Sequence, residues 1–176
     1  MKKSLWIVFL MLLWSVSPVA AVELKVGDKA PDFRLKDSLG KEYTLNSPEM
    51  QGRVVYFNYA DPGSKDMNKH VDDALKQDKG LDRKKSYVGF GIANMKASLL
   101  PDFVIAKIVK NKQQETGAVI LLDDNYIILN SWGLTNKVSN VVVLDKNRIC
   151  RYIYKGKLSP AEMTRLIQII KEYQVK

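Results

Sequence analysis

Thiols and imidazoles are almost missing from this chain of 176 residues. Cys150 is the one cysteine, which excludes an intramolecular disulfide and any Cys-x-x-Cys redox or zinc pair within the chain. His70 is the one histidine, so no multi-histidine metal centre can form. No Gly-x-Gly-x-x-Gly, P-loop or Gly-x-Ser-x-Gly pattern occurs, which removes the common nucleotide and nucleophile-elbow signatures. Acid is also scarce, with 19 Asp and Glu against 28 Lys and Arg and a formal charge of +9. What is present is ordinary: 46% hydrophobic and 27% charged residues exclude collagen-like, low-complexity and wholly disordered chains. One domain with its own core is expected at this length.

The N-terminus reads as an export signal. Met1 to Ser4 carries two lysines and no acid, Leu5 to Val16 is uncharged and mostly apolar, and Ser17-Pro18 breaks the run. Val19-Ala20-Ala21 then offers small residues at the −3 and −1 positions of a cleavage site. The competing reading is an uncleaved anchor, since the uncharged stretch extends from Leu5 to Val22. Residues 1–21 are expected to be removed and residues 22–176 to form the domain, which places the protein in the periplasm. Loss of Lys2 and Lys3 takes the formal charge from +9 to +7. An exported basic protein meets anionic lipids, glycans or acidic proteins rather than nucleic acid. The basic residues are dispersed, and Asp78 and Asp82 interrupt the densest patch, Lys76 to Lys85.

Phe33-Arg34-Leu35 and Tyr43-Thr44-Leu45 flank a turn and predict a short hairpin. Arg53 to Tyr59 and Ser86 to Ile92 are short apolar runs bounded by turn residues, which predicts buried strands. Between them the spacing of Met67, Val71, Ala74 and Leu75 predicts a helix from about Ser64 to Gln77. Pro101 opens a second helix with Phe103, Val104, Ile108 and Val109 inward, and Gly117 ends it. Ala118 to Leu122 and Tyr126 to Trp132 read as a strand region around Asp123-Asp124-Asn125. Val141 to Leu144 and Ile149 to Tyr154 form a late hairpin. Ser159, Pro160 and Glu162 then mark a capped helix start, with Leu158 and Met163 placed as a staple. This order predicts an α/β fold with a mixed central sheet and helices on both faces.

Val26-Gly27-Asp28-Lys29-Ala30-Pro31-Asp32-Phe33-Arg34-Leu35 and Gly52 to Ala60 resemble the opening and first core strand of the redoxin branch of the thioredoxin superfamily. Val141 to Asn147, Gly156 and the closing helix resemble its later elements. Ser139 to Lys146 with Ser159-Pro160-Ala161-Glu162 is similar, more narrowly, to exported YtfJ-type proteins, whose role is poorly defined. The resemblance implies a thioredoxin-like three-layer sandwich over residues 22–176. It also locates two departures. The positions of the family's redox cysteines fall on Gly63 and Asp66, and the position of its cis-proline falls on Ser139. Asp61 to Lys69 holds no cysteine with which a peroxidase of this fold could work.

The remaining candidates have plain alternatives. Cys150 in a hairpin strand reads as a packed hydrophobe, against a reactive or intermolecular thiol. Ser64 reads as an N-cap, against an anion site made with Gly63 and Lys65. His70 reads as a surface ion-pair partner of Asp66 or Asp73. Asp123-Asp124-Asn125 lacks the glycine and glutamate of a calcium loop and reads as a turn. The expected protein is a non-enzymatic periplasmic binding or accessory module. Its vestigial active-site loop would comprise Asp61, Gly63, Ser64, Lys65, Asp66 and Ser139, with no metal and no cofactor. Its partner would be a protein or a small anionic ligand, not nucleic acid, with no stable membrane insertion once the signal is cleaved. The alternative is a thiol-dependent oxidoreductase or peroxidase that uses Cys150.

Overall fold

The computed structural model describes residues 23–176, so the export signal expected at residues 1–21 lies outside the described residues. β1 (Leu35–Asp37) and β2 (Glu42–Tyr43) form the expected small hairpin. Then follow β3 (Val54–Ala60), α1 (Lys69–Gln77), β4 (Tyr87–Asn94), α2 (Asp102–Thr116), β5 (Val119–Asp123), α3 (Ile127–Ser131), β6 (Asn140–Leu144), β7 (Cys150–Lys155) and α4 (Pro160–Val175). The sheet order is β2-β1-β5-β4-β3-β6-β7. β3, β4 and β5 run parallel, while β6 is antiparallel to β3 and β7 to β6. Parallel strands need crossovers, and α1 and α2 supply them.

Alternation in β3 and β6 separates two cores. Val55, Phe57, Val142 and Leu144 point to one face, with Phe33, Trp132 and Ile128 of α3. Phe57 and Trp132 meet edge to face at 5.4 Å. Val54, Tyr56, Val141 and Val143 point to the other, where Val71 and Leu75 of α1 and Leu166 and Ile170 of α4 cover them. Ile105 and Val109 of α2 pack on that same face with Met95. Each core is built wholly from described residues.

Three sequence expectations change. Tyr126 to Trp132 is no strand: Asp123 accepts the Ile127 and Ile128 amides at 2.7 and 3.1 Å and starts α3. Ile128 and Trp132, four residues apart, then share one buried face. In α2, Ile105 and Val109 face the sheet, while Phe103 is 75% and Ile108 49% exposed. A helix turns about 100° per residue, so once Ile105 is seated Phe103 must point away. Lastly, α1 starts at Lys69, not Ser64, because residues 62–68 are taken up in turns.

Arg148 fixes the lower part of the fold. It sits in the β6–β7 turn at a positive φ of 66° and is 8% exposed. Its guanidinium donates to the carbonyls of Leu45 (2.9 Å), Arg53 (3.1 Å), Asp145 (3.2 Å) and Met50. Those bonds tie the segment before β3 to a turn about a hundred residues later, and burial lowers the arginine pKa. Arg148→Ala strands several buried carbonyls and should lower the unfolding free energy by about 2–4 kcal/mol in urea titration. Arg148→Met, which keeps the stem, should lose nearly as much.

Candidate functional site

Ligands of open α/β sheets bind beyond the C-terminal ends of the strands, and here that edge carries the loop after β3. Asp61 leaves the strand with a buried carboxylate. Its Oδ1 accepts the Gly63 amide at 2.7 Å and the Ser64 amide at 3.1 Å, and its Oδ2 accepts the Ser64 hydroxyl at 3.1 Å. Ser64 Oγ in turn accepts the Asp61 amide at 3.2 Å. The loop therefore carries its own anion. The Gly63 and Ser64 amides, which an anion site would need free, are already engaged, and Ser64 is not the expected N-cap: Asn68 stands at the start of α1. A Cβ built at Gly63 would lie 3.1 Å from Asp61 Oδ1, so a side chain at this position would crowd the carboxylate. Lys65 and Asp66 are exposed and pair with each other, which holds the Asp66 carboxyl below its ordinary range.

Ser139 is fully buried behind this loop, and its peptide bond is trans. It belongs to a different set of contacts from Asp61. Asn68, also fully buried, donates from Nδ2 to Ser139 Oγ at 2.9 Å and to the Gly156 carbonyl at 2.8 Å. Its Oδ1 accepts the Leu158 amide at 2.9 Å. Ser139 Oγ donates onward to Asn58 Oδ1 at 2.7 Å. Asn58 Nδ2 approaches Asp72 Oδ2 at 3.5 Å, and the Tyr56 hydroxyl donates to Asp72 Oδ1 at 2.9 Å. Burial raises the Asp72 carboxyl above its ordinary value, against the opposing pull of the Tyr56 and Asn58 bonds. This polar chain links β3, α1, the entry to β6 and the entry to α4. Asn58, Asn68 and Asp72 were missed as candidates, although a polar Asn58 between Phe57 and Tyr59 in a buried strand is a readable signal.

Two further expectations are corrected. His70 forms no ion pair with Asp66 or Asp73; its Nε2 donates to the Leu158 carbonyl at 3.0 Å, while Asp66 pairs with Lys65 and Asp73 with Lys69. Asp123 is more than a turn residue: it is fully buried, starts α3 and accepts the Tyr59 hydroxyl at 3.2 Å. Among the described residues no three His, Cys, Asp or Glu side chains group as a metal site.

Cys150 is fully buried at the start of β7. It is level with Leu144, which pairs with Val55 near the beginning of β3. The loop at Asp61 lies six residues further along, about 20 Å away at the rise of a strand. Burial pushes the Cys150 thiol up to about 11. The thiol and the loop cannot cooperate.

The chain belongs to the family described as "Bacterial protein of unknown function (YtfJ_HI0045)", whose model matches residues 18–173. An uncharacterised protein of Haemophilus influenzae is 34% identical over 61 residues, 35% of this chain and 33% of that protein. The match thus spans about a third of that relative's length. Among solved structures, a candidate protein disulfide isomerase from Bacteroides thetaiotaomicron is similar with a TM-score of 0.65 and 19% identity, over 87% of this chain and 92% of that one. The exposed lipoprotein thioredoxin of Streptococcus pneumoniae gives 0.59 and 17%, over 81% and 99%. A peroxiredoxin-like protein from Aquifex aeolicus gives 0.61 and 15%, over 86% and 91%. These likenesses establish the thioredoxin-like fold that the redoxin resemblance implied.

With its thiol pKa near 11, Cys150 should resist an aromatic disulfide reagent at pH 8 in the folded protein. One equivalent should react once guanidinium unfolds the chain. Stoichiometric labelling of the native protein within seconds would contradict the burial described.

Proposed function

We propose that this protein is an exported, non-catalytic binding or accessory protein that uses a thioredoxin-like fold as a scaffold. One observation carries the reading: where a redox relative needs thiols at the end of its first core strand, this chain has Gly63 and Asp66 in a turn closed by the buried Asp61 carboxylate. A thiolate at such an edge is stabilised by free amides and a helix dipole. Here the amides are bonded to Asp61, and α1 begins five residues beyond Ser64. Chemistry through Cys150 finds no support in its burial, its raised pKa or its place at the far end of the sheet. Export is supported by Lys2 and Lys3, the apolar run Leu5 to Val16 and the small-residue exit at Ala21.

The recognition surface is the outer side of the Asp61–Asp66 loop, where Lys65 and Asp66 stand in solvent on a backbone held rigid beneath them. A loop that need not be ordered on binding loses less entropy when a partner docks. The partner is a protein segment or a small anionic ligand that meets Lys65. Exposed charge pairs contribute little, so the contact is weak and salt-sensitive.

The purified protein should neither reduce insulin disulfides nor consume hydrogen peroxide with a thiol donor above background, with or without Cys150→Ala. Turnover that survives Cys150→Ala would overturn the reading. Capture of a partner from periplasmic extract should weaken in Lys65→Glu and lose part of its salt dependence, with an unchanged melting temperature. The exported form should begin at Val22 on N-terminal sequencing.

A further inference from the structure

The corrected register of α2 leaves apolar side chains in solvent. Leu99 is 106% and Phe103 75% exposed, and Leu100 and Ile108 are 46% and 49% exposed. They occupy one continuous stretch, the loop leaving β4 and the first two turns of α2. The helix cannot rotate to hide them, because Ile105 and Val109 already hold it on the sheet against Met95. Lys96 precedes and Lys107 interrupts these residues, Lys110 and Lys112 follow them, and Asp102 is the sole acid between positions 96 and 112. Asp102 pairs with Lys96 at 3.4 Å. Among the described residues Lys107, Lys110 and Lys112 have no carboxylate within 4 Å, although long-range attraction from Lys112 reaches Asp66 and Asp73.

We infer that the 95–101 loop and the N-terminal half of α2 form a docking surface for an anionic phospholipid bilayer. Aliphatic and aromatic tips backed by free ammonium groups are the composition of an interfacial element: the tips enter the acyl boundary and the lysines stay at phosphate depth. Net basic charge alone would give only diffuse attraction, and apolar exposure alone only stickiness. The two coincide here on one rigid element. Exposed apolar tips beside lysines unpaired among the described residues match an anionic lipid surface, which offers acyl chains and phosphates together. Phe103 shares one helix face with Lys107 and Lys110, which follow it at i+4 and i+7, and Leu99 and Leu100 lie just before that face in the chain. The adjacent hollow of about 570 Å³, lined by Ser38, Ala106, Lys107, Lys110, Asn111 and Gln114, combines two lysine ammonium groups with apolar side-chain stems and offers room for headgroups. No helix among the described residues is long and apolar enough to cross a membrane, so the contact is peripheral. This inference stands apart from the proposed role of the Asp61–Asp66 loop.

The test is co-sedimentation of the chain from Val22 to Lys176 with vesicles, which keeps the apolar run Leu5 to Val16 out of the assay. Vesicles of phosphatidylglycerol and phosphatidylcholine should carry the protein down at low salt, and vesicles of phosphatidylcholine alone should leave most of it in solution. Each lysine near an anionic surface contributes a factor of about five, so Lys107→Gln with Lys110→Gln should weaken partitioning about thirtyfold. Leu99→Ser with Phe103→Ser should weaken it at least as much. All four side chains are exposed, so the melting temperature should hold in both variants and a loss of binding cannot be put down to misfolding. A tryptophan reporter at position 99, Leu99→Trp, should shift its emission to the blue on mixing with the anionic vesicles. Failure to sediment with phosphatidylglycerol vesicles overturns the inference, as does binding that both double variants retain. Binding of an acidic peptide through these residues without binding to vesicles would assign the face to a protein partner and equally overturn it.

Discussion

The side-chain amide of Asn68 is the contact on which the upper edge of this fold depends. It is fully buried and reaches Ser139, Gly156 and Leu158, residues 71 to 90 positions away. Three hydrogen bonds from one residue bring the start of α1, the entry to β6 and the entry to α4 to a common point. Each is worth about 1 kcal/mol net, but a buried group left without a partner costs about 1–3 kcal/mol. The chain continues through Asn58, Asp72 and Tyr56. Because the members satisfy one another, the edge is held by its own hydrogen bonds.

Asp61 completes the change in character. In a thiol enzyme of this fold, amides at the helix start stabilise an anion that forms during the reaction. Here a fixed carboxylate sits against the Gly63 and Ser64 amides, and residues 62–68 wind into turns before α1 begins. A resident anion and a delayed helix start are two expressions of one rearrangement. Asn68 cannot cap α1 with its side chain because that side chain is bonded elsewhere.

Much of the fold was legible because its signals are local. The short apolar runs of β3 and β6, the breaks at Gly52 and Gly117, and the start of α4 could be read from neighbours within a few residues. Ser159 Oγ does accept the Glu162 amide at 3.3 Å, although the Glu162 carboxylate turns to the Tyr152 hydroxyl instead of closing the capping box. What could not be read depends on distant partners. The register of α2 is set by a sheet surface formed from β4 and β5. The helical state of Ile127–Ser131 is set by a buried Asp123 that also takes the Tyr59 hydroxyl. Of the candidate loop, the missing thiols were evident at once, and Asp61, Gly63 and Ser64 do come together. Lys65, Asp66 and Ser139 do not join them: the first two pair in solvent, and Ser139 serves the Asn68 chain.

Hydrogen exchange at Gly63 and Ser64 tests the central claim most directly, because it asks whether the two amides that would serve a thiolate or an external ligand are occupied. If Asp61 holds them on a rigid edge, both should exchange about a hundredfold or more slower than in an unfolded peptide. The Leu158 amide, held by Asn68, should be protected with them, and Asp61→Ala should release Gly63 while Ser64, whose amide also bonds the Asp61 backbone carbonyl at 3.1 Å, and Leu158 stay protected. Exchange of the Gly63 and Ser64 amides at unfolded-peptide rates in the native protein would contradict the account.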